Sequence, residues 1–239
     1  MRKIDLDGER TFENRKASGE MVREAQSKFY WATEIPTSTH IELTNLEIRG
    51  KSVLEVGCAS GYDASTYCKY ANSYVGVDIS DEAINNCKKL KIENANFFCT
   101  DGHTLPINDN SVDCVIVNSL LHHMDLNTIF CEIRRVLKKG GVLIFREPLG
   151  TNPFFQIYRS LTSYARTIDE RPFTFSDLNL MSKFFDLKSV QWFGFTNIFS
   201  AFFRSNLLRL ILTKFDSIIS KTPMKFMFWQ ISGVAEVKK

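Results

Sequence analysis

Val53-Leu54-Glu55-Val56-Gly57-Cys58-Ala59-Ser60-Gly61 is an apolar run that ends in a turn bounded by two glycines. The run predicts a buried strand over residues 52–56. Gly57 and Gly61 allow a tight turn and a close approach of the backbone to a ligand. Asp78 lies 17 positions after Gly61, at the end of the next predicted strand. A carboxylate at that point can accept hydrogen bonds from the hydroxyls of a ribose.

Outward from this run, short apolar strands alternate with helical patterns. Further strands are predicted at residues 74–78, 96–99, 112–118, 142–146, 187–193 and 224–237. Helices are predicted at residues 20–33, 63–70, 81–91, 127–138, 154–165, 174–183 and 207–219, and Pro36 is expected to stop the helix that precedes it. Near-continuous apolar strands separated by helices indicate a parallel sheet that is covered on both faces. The predicted fold class is therefore α/β, with a Rossmann-like, doubly wound sheet.

Composition limits the class of protein. The 239 residues are 44% hydrophobic and 24% charged, which suits one large α/β domain. A net charge of +3 does not demand nucleic acid as a partner, although residues 199–239 hold seven Lys or Arg against two Asp or Glu. That basic end leaves a peripheral membrane contact open, while no run of about 20 apolar residues predicts a membrane span.

The six cysteines include no C-x-x-C pair, so neither a zinc site nor any other metal site is expected. Free thiols in the predicted core indicate a reducing compartment, and the first ten residues contain no apolar signal segment. The expected location is cytoplasmic. The sequence leaves the oligomeric state open.

Two classes of cofactor fit a glycine turn followed by an acidic strand end. A nicotinamide fingerprint, G-x-G-x-x-G, would need glycine at Ala59 and at Tyr62. Without those glycines the turn would lack the close backbone contacts that a pyrophosphate needs. A nicotinamide-dependent oxidoreductase is therefore kept only as an alternative function. A non-catalytic binding module is the second alternative, although Asp78 and both turn glycines are present.

Five motifs in order resemble the class I S-adenosylmethionine-dependent methyltransferases, most closely the small-molecule branch related to ubiquinone, sugar and polyketide methyltransferases. They are E-V-G-C-A-S-G at 55–61, V-D-I-S at 77–80, D-G-H-T-L-P at 101–106, S-V-D-C-V-I-V-N-S-L-L-H-H-M at 111–124 and I-R-R-V-L-K-K-G-G at 133–141. The single departure is Ala59, where the family usually has glycine. The resemblance covers about residues 51–147. It implies seven strands, the first five parallel and the last, residues 224–237, inserted antiparallel between the strands near Val142 and Leu187.

The resemblance also implies S-adenosylmethionine as cofactor and gives each matching residue a role. Gly57, Cys58, Ala59 and Gly61 would line its methionine part, and Glu55 would orient that loop. Asp78 would bind the ribose and Ile79 would pack on adenine. Asp101, with Gly102 beside it, would accept from the adenine amino group. Asn118 would meet the cofactor's ammonium group, and Tyr30 would form part of an N-terminal lid.

His122 and His123 follow the fourth predicted strand, next to the expected methyl group. A histidine suits general base catalysis at neutral pH, and His123 is the first choice. Adjacent residues are expected to diverge unless the backbone there is helical or turned. One histidine would then face the methyl group while the other packs against or caps the helix at 127–138. Glu147, at the end of the fifth strand, would orient a histidine or hold a polar group of the substrate.

Three parts of the chain are expected: an N-terminal helical lid or cap at 1–50, the cofactor-binding core at 51–149, and substrate-cover helices with the end of the sheet at 150–239. In the cover segment, aromatic residues suggest an apolar acceptor, while Arg159, Arg166 and Arg171 suggest a phosphate or carboxylate. The predicted function is methyl transfer to a small molecule, with a hydroxyl of a biosynthetic intermediate as acceptor. C- or N-methylation of a lipid-like or carrier-bound substrate is the alternative.

Overall fold

The structure is a computed structural model that describes residues 5–20, 27–162 and 170–238. Its centre is a seven-stranded sheet. The strands are β1 (Ser52–Val56), β2 (Ser73–Asp78), β3 (Ala95–Cys99), β4 (Val112–Asn118), β5 (Leu137–Pro148), β6 (Phe185–Phe193) and β7 (Gln230–Val237). The described helices are α1 (Leu6–Ala17), α2 (Ser27–Ala32), α3 (Glu34–Glu47), α4 (Ala64–Tyr67), α5 (Asp81–Lys89), α6 (Leu126–Val136), α7 (Pro153–Leu161), α8 (Phe175–Phe184), α9 (Ser200–Phe203) and α10 (Asn206–Ile219).

The strand order is β3-β2-β1-β4-β5-β7-β6. Pairing is parallel from β3 through β5, whereas β7 runs antiparallel to both β5 and β6. The order reverses between β1 and β4, which is where ligands bind in open α/β sheets. The predicted α/β fold, the five parallel strands and the insertion of the last strand are confirmed.

Helices cover both faces of the sheet, and each face has its own apolar core. On one face, Ile129, Phe130 and Ile133 of α6 pack with Met181 of α8 against the sheet. On the other, Tyr67 of α4 and Cys87 of α5 pack there with Ile48, the residue after α3. Because strands such as β4 are buried on both faces, they read as unbroken apolar runs in the sequence.

Several helices begin at residues that satisfy the free amides of their first turn. Ser80 accepts from the amide of Ala83 at the start of α5, and Asp125 accepts from that of Thr128 at the start of α6. Thr174 and Asp177 form a reciprocal capping box at the start of α8. These caps lie where polar residues precede the apolar periodicity, which is why these helices could be predicted.

The helix predicted over 20–33 does end before Pro36, since α2 ends at Ala32, but Pro36 is not what stops it. Pro36 lies in the first turn of α3, where an absent amide hydrogen costs no hydrogen bond. The structure also contains α1, which the sequence did not predict because it buries no residue completely. Of the helix predicted over 20–33, residues 21–26 lie outside the described part of the chain. None of the described helices is long and apolar enough to span a bilayer.

Candidate functional site

A cavity of about 350 Å³ opens at the carboxyl ends of the parallel strands. Its floor comes from the segments that follow β1, β2, β3 and β4, and its cover comes from helices α1, α2 and α7. The predicted site residues that line it are Tyr30, Gly57, Ala59, Asp78, Ile79, Asp101, Gly102, Asn118, His122 and His123. Residues from five separate stretches of sequence therefore meet at the point where the strand order reverses.

The turn after β1 is held open by backbone geometry and by Asp78. Gly57 has φ of 81° and Ala59 has φ of 45°, a left-handed conformation that costs a residue with a Cβ atom about 1–2 kcal/mol. The two oxygens of Asp78 accept from the amides of Ala59 at 2.8 Å and Ser80 at 2.9 Å. Each carboxylate oxygen retains a second lone pair for a ligand. Burial raises the pKa of Asp78, and these two amides oppose that rise.

A second part of the wall follows β3 and β4. Asp101 accepts from the amide of His103 at 2.9 Å, and Gly102 has φ of 77°. Asn118 ends β4, and its buried Oδ1 has no hydrogen-bond partner among the described residues. This cavity wall fits a nucleoside with a charged tail. It offers carboxylates at two neighbouring strand ends, the apolar Ile79 between them and an open glycine turn.

Four predicted site residues lie behind the cavity wall. Glu55 belongs to β1, and its side chain is buried in the protein core, where it accepts a hydrogen bond from the hydroxyl of Tyr74. Burial raises the pKa of Glu55 to about 8. Cys58 is buried under the turn, and a side chain at Gly61 would collide with Leu90 and Cys87 of the α5 region. Glu147 is fully buried and reaches the cavity only through its partners.

Glu147 organises the turn that carries the two histidines. Its Oε1 accepts from the amides of Leu120 at 2.9 Å and Leu121 at 2.8 Å, and its Oε2 lies 2.7 Å from Nδ1 of His122. Two amides already donate to Oε1 of Glu147, and a proton on Nδ1 of His122 would be donated to Oε2 in the same way. Nε2 of His122 is then the nitrogen that can accept a proton.

His123 faces a different carboxylate. Its Nδ1 lies 3.2 Å from Glu9 of α1. Burial alone would lower the pKa of His123, but the hydrogen bond and charge of Glu9, with Glu170 and Glu13, outweigh burial and raise it. The expectation that one histidine packs on or caps α6 is wrong. Both line the cavity because Leu121–His123 forms a 3-10 turn, and Asp125 caps α6 instead.

Much of the cavity cover was not predicted. Helix α1 contributes Leu6, Glu9, Glu13 and Lys16, and the segment before β7 contributes Trp229 and Gln230. Helix α1 is fixed to the core where Asn14 meets the Ser80 hydroxyl at 2.6 Å. The ring of Trp229 stacks on Phe155 at 5.5 Å and lies 6.0 Å from Tyr30. The sequence pointed to Tyr30 and, within the aromatic cover segment, to Phe155, but it gave no signal for Trp229.

The predicted arginines have specific partners. Arg171 forms a bidentate ion pair with Asp177, so it stabilises the start of α8 and lies outside the cavity lining. Arg159 lines the cavity and pairs with Glu170 at 3.0 Å. Arg166 lies outside the described residues. Glu170 also lies near both histidines, and one ligand atom from each of these three residues falls within 4.8 Å of the others.

Comparison with known proteins agrees with this geometry. Residues 54–145 match the family model described as a methyltransferase domain. The phthiotriol/phenolphthiotriol dimycocerosates methyltransferase of Mycobacterium tuberculosis is 34% identical over 119 residues, which cover 46% of this chain and 44% of that protein. The fatty-acid O-methyltransferase of Mycolicibacterium smegmatis is 30% identical over 112 residues, which cover 45% of this chain and 41% of that protein. The chain thus spans less than half the length of these curated relatives.

Solved structures share the fold. Geranyl diphosphate C-methyltransferase from Streptomyces coelicolor A3(2), crystallised with Mg²⁺, geranyl diphosphate and S-adenosyl-L-homocysteine, superposes with a TM-score of 0.62 at 15% identity. The match covers 84% of this chain and 79% of that one. The match over residues 54–145 thus identifies a methyltransferase domain in this chain, and the chain shares the fold of that C-methyltransferase.

Proposed function

We propose that the chain transfers a methyl group from S-adenosylmethionine to an oxygen atom of an apolar, lipid-like small molecule. One observation carries the proposal. His122, which Glu147 contacts from behind the wall, lines the same cavity as the Gly57 turn and Asp78. A proton acceptor and a fitting cofactor site therefore share one enclosed space.

The cofactor supplies an electrophilic sulfonium methyl group, so the protein has to position a nucleophile in line with it. Asp78 would hold the ribose hydroxyls and Asp101 the adenine amino group, with Ile79 against the ring. Backbone groups of Gly57 and Ala59 would line the methionine part. The backbone carbonyl of Asn118, at the end of β4, would accept from the cofactor's ammonium group.

His122, rather than His123, is proposed as the general base. Glu147 fixes its Nδ1 as the donor, which leaves Nε2 to take the proton from an acceptor hydroxyl or carboxylic acid. The pKa of His123 is raised by its carboxylate neighbours, so His123 is more often protonated and less suited to accept a proton. Glu147 acts through His122 and is a positioning residue.

The acceptor is proposed to be apolar because aromatic side chains form the cover of the cavity. Phe29, Phe155, Tyr158 and Trp229 line it, and Arg159 is the single cation from α7. The relatives named above act on lipids, as their names state, and this supports a lipid-like acceptor. The six free cysteines suit a reducing compartment such as the cytoplasm.

Transfer of labelled methyl groups from S-adenosylmethionine to fatty acids and long-chain alcohols tests the proposal. His122→Ala should lower kcat by about 10²–10⁴-fold while the affinity for S-adenosylhomocysteine stays unchanged. Glu147→Gln should also lower kcat, because an amide NH₂ facing Nδ1 would move the ring proton to Nε2. His123→Gln is the matched control and should lose much less activity.

The pH profile separates a base from a structural residue. A loss of kcat in His122→Ala that exceeds the loss in His123→Gln at every pH measured identifies His122 as the base. If both single histidine variants keep wild-type kcat across the profile, catalysis by positioning alone becomes the better account, as for methylation of carbon. Loss of wild-type activity on adding EDTA would instead assign His122, His123 and Glu170 to a metal ion.

A further inference from the structure

The C-terminal helices present many large apolar side chains to solvent. They belong to α7, α9, α10 and the 3-10 turns Asn197–Phe199 and Pro223–Met227. Each is at least 43% exposed, and together they are called the apolar patch: Phe154, Ile157, Leu161, Phe199, Phe202, Phe203, Leu207, Leu210, Ile211, Phe215, Ile218, Met224 and Phe226. Scattered apolar side chains are normal on a protein surface, but a concentration of this size marks an interaction site.

Helix α10 shows the pattern most clearly. Leu207, Ile211, Lys214 and Ile218 recur at spacings of four and three residues, so they lie along one side of the helix, and all four are exposed. Lys221, two residues after the helix ends, is also exposed. The opposite side, where Asp216 lies, packs on the Asn197–Phe199 turn and β6. The exposed side of α10 is thus apolar and basic, as in helices that lie in the surface of a bilayer.

The exposed charges within residues 199–226 are positive. Residues 199–226 are all described, and their exposed or half-buried cations are Arg204, Lys214, Lys221 and Lys225, besides Arg209, which pairs with Glu34. Their single acidic residue, Asp216, is 2% exposed and accepts from the amides of Phe195, Thr196 and Asn197. Residues 199–226 therefore offer four cations and no exposed acid, and Glu34 of α3 neutralises only Arg209, so the net charge of this surface complements an anionic one.

The patch continues into the wall of the cavity. Phe29, which lines the cavity, contacts the ring of Phe202 at 6.5 Å and that of Tyr158 at 5.9 Å. Helix α7 has two sides: Phe155 and Tyr158 line the cavity, while Phe154 and Ile157 are exposed. The rings of Phe29 and Phe202 and the two sides of α7 thus connect the patch to the cavity wall.

We propose that the apolar patch docks the protein onto the surface of a bilayer that carries anionic headgroups. The apolar side chains would enter the boundary of the acyl chains, and Arg204, Lys214 and Lys221 would contact the headgroups. The cavity entrance beside Phe29 and α7 would then face the lipid. This proposal goes beyond methyl transfer and rests on the patch alone, so vesicle binding without any turnover tests it.

Co-sedimentation of the protein with vesicles provides the measurement. Vesicles of phosphatidylcholine mixed with phosphatidylglycerol should bind the protein, and vesicles of phosphatidylcholine alone should bind it much more weakly. Added NaCl should weaken binding to the mixed vesicles, since it screens the lysines, without abolishing it. Failure to bind the mixed vesicles at low salt overturns the proposal.

Variants assign the binding to the patch. Leu207→Glu with Ile218→Glu should weaken vesicle partitioning by more than about tenfold, since two inserted aliphatic side chains are lost. Lys214→Glu with Lys221→Glu should weaken it by at least about 25-fold, since each lysine contributes about fivefold. None of these residues lines the cavity, so methylation of a short-chain acceptor in solution should be unchanged.

The matched controls lie at the other side of the molecule. Phe98→Glu changes an exposed aromatic residue on the opposite edge strand, and Lys69→Glu with Lys88→Glu reverses two exposed lysines there. Circular dichroism and thermal unfolding confirm that each variant folds. The proposal fails if the controls weaken vesicle binding as much as the patch variants do. It also fails if patch variants abolish self-association in gel filtration while vesicle binding is absent, since a second copy would then cover the patch.

Discussion

His122 and Glu147 are separated by 25 residues, yet a 2.7 Å contact joins their side chains. The contact forms because β4 and β5 are parallel neighbours whose carboxyl ends lie side by side, with Asn118 paired to Arg146 one residue before Glu147. Glu147 is buried, and its oxygens contact two backbone amides and the imidazole of His122. Because Oε2 of Glu147 can only accept a hydrogen bond while it is ionised, its contact with Nδ1 favours the form of His122 that carries the proton on Nδ1.

Asp78 provides a prediction on cofactor binding. Asp78→Ala should weaken the binding of S-adenosylhomocysteine by about 1–3 kcal/mol, because the charge-assisted hydrogen bonds to the ribose are lost. Isothermal titration calorimetry measures the effect. Asp78→Ala also releases the Ala59 amide, so Asp78→Asn, which keeps an acceptor oxygen, should lose less. Unchanged affinity in both variants would contradict the assignment of Asp78 to the ribose.

Ala59 tests the one departure from the family motif. Its φ of 45° is strained for a residue with a Cβ atom, and glycine adopts it freely. Ala59→Gly should therefore be neutral or should stabilise the folded state by up to about 1 kcal/mol, with the turn geometry retained. Thermal unfolding and S-adenosylhomocysteine titration read out both properties. A marked loss of cofactor affinity would show that the Ala59 methyl group itself contacts the ligand.

At the scale of elements, β7 holds the antiparallel end of the sheet together. It pairs with β5 on one side and β6 on the other, and Gly233 lies where both neighbours approach closely. A Cβ atom on Gly233 would come within 2.4 Å of the backbone oxygen of Ser189 and 3.0 Å of the Phe145 ring. The absence of a side chain at this position therefore allows three strands to pack at their normal spacing.

Gly233→Ala should accordingly destabilise the protein by about 1–3 kcal/mol, the usual cost of overpacking a core. Chemical unfolding measures the change. The neighbouring Ser232→Ala is the control: the Ser232 hydroxyl is buried and lacks a hydrogen-bond partner among the described residues, so its removal should be neutral or stabilising. Equal losses in the two variants would argue that any change in β7 is damaging, whatever its size.

At the scale of the whole molecule, folding shifts the pKa values of two buried titratable groups in opposite directions, which makes the folding stability depend on pH. Burial, with a smaller contribution from Arg146, lowers the pKa of His40 to about 4. Burial raises the pKa of Glu55 to about 8, partly opposed by the Tyr74 hydroxyl. The folded state thus favours neutral forms of both groups.

The two contributions oppose each other between about pH 4.5 and 6.5, so stability should be highest in that range and should fall as the pH rises from about 6.5 to 8. The unfolded chain binds more protons at His40 as the pH falls from about 6.5 toward 4, so folding stability is lost there. The folded chain binds more protons at Glu55 between about pH 4.5 and 8, so stability is lost as the pH rises through that window. Glu55→Gln keeps an acceptor for Tyr74 and should flatten the alkaline side.

Unfolding of wild type and Glu55→Gln at pH 5 and pH 8 measures this effect. The difference between the two proteins should change by on the order of 1–3 kcal/mol in favour of the variant at the higher pH. His40→Gln should change the acidic side instead. A constant difference between wild type and Glu55→Gln at both pH values would mean that Glu55 is ionised in the folded protein.

The sequence by itself determined the fold class, the five parallel strands and the turn at residues 53–61. Strand burial on both faces, glycine turns and helix caps are local signals that can be read along the chain. The match to a methyltransferase domain over residues 54–145 rests on the same local motifs. The roles of the individual cavity residues and the division into three parts stay predictions.

Tertiary structure decided which side chains share the cavity and which lie behind its wall. Glu55 and Gly61 belong to the signature turn, but the pleat of β1 and the packing of α5 direct them away from the cavity. Glu9, Trp229 and Phe155 enter it from distant parts of the chain that carry no motif. The exposure of α10 also followed only from packing, because an apolar stripe in a sequence predicts a buried face whether or not another element covers it.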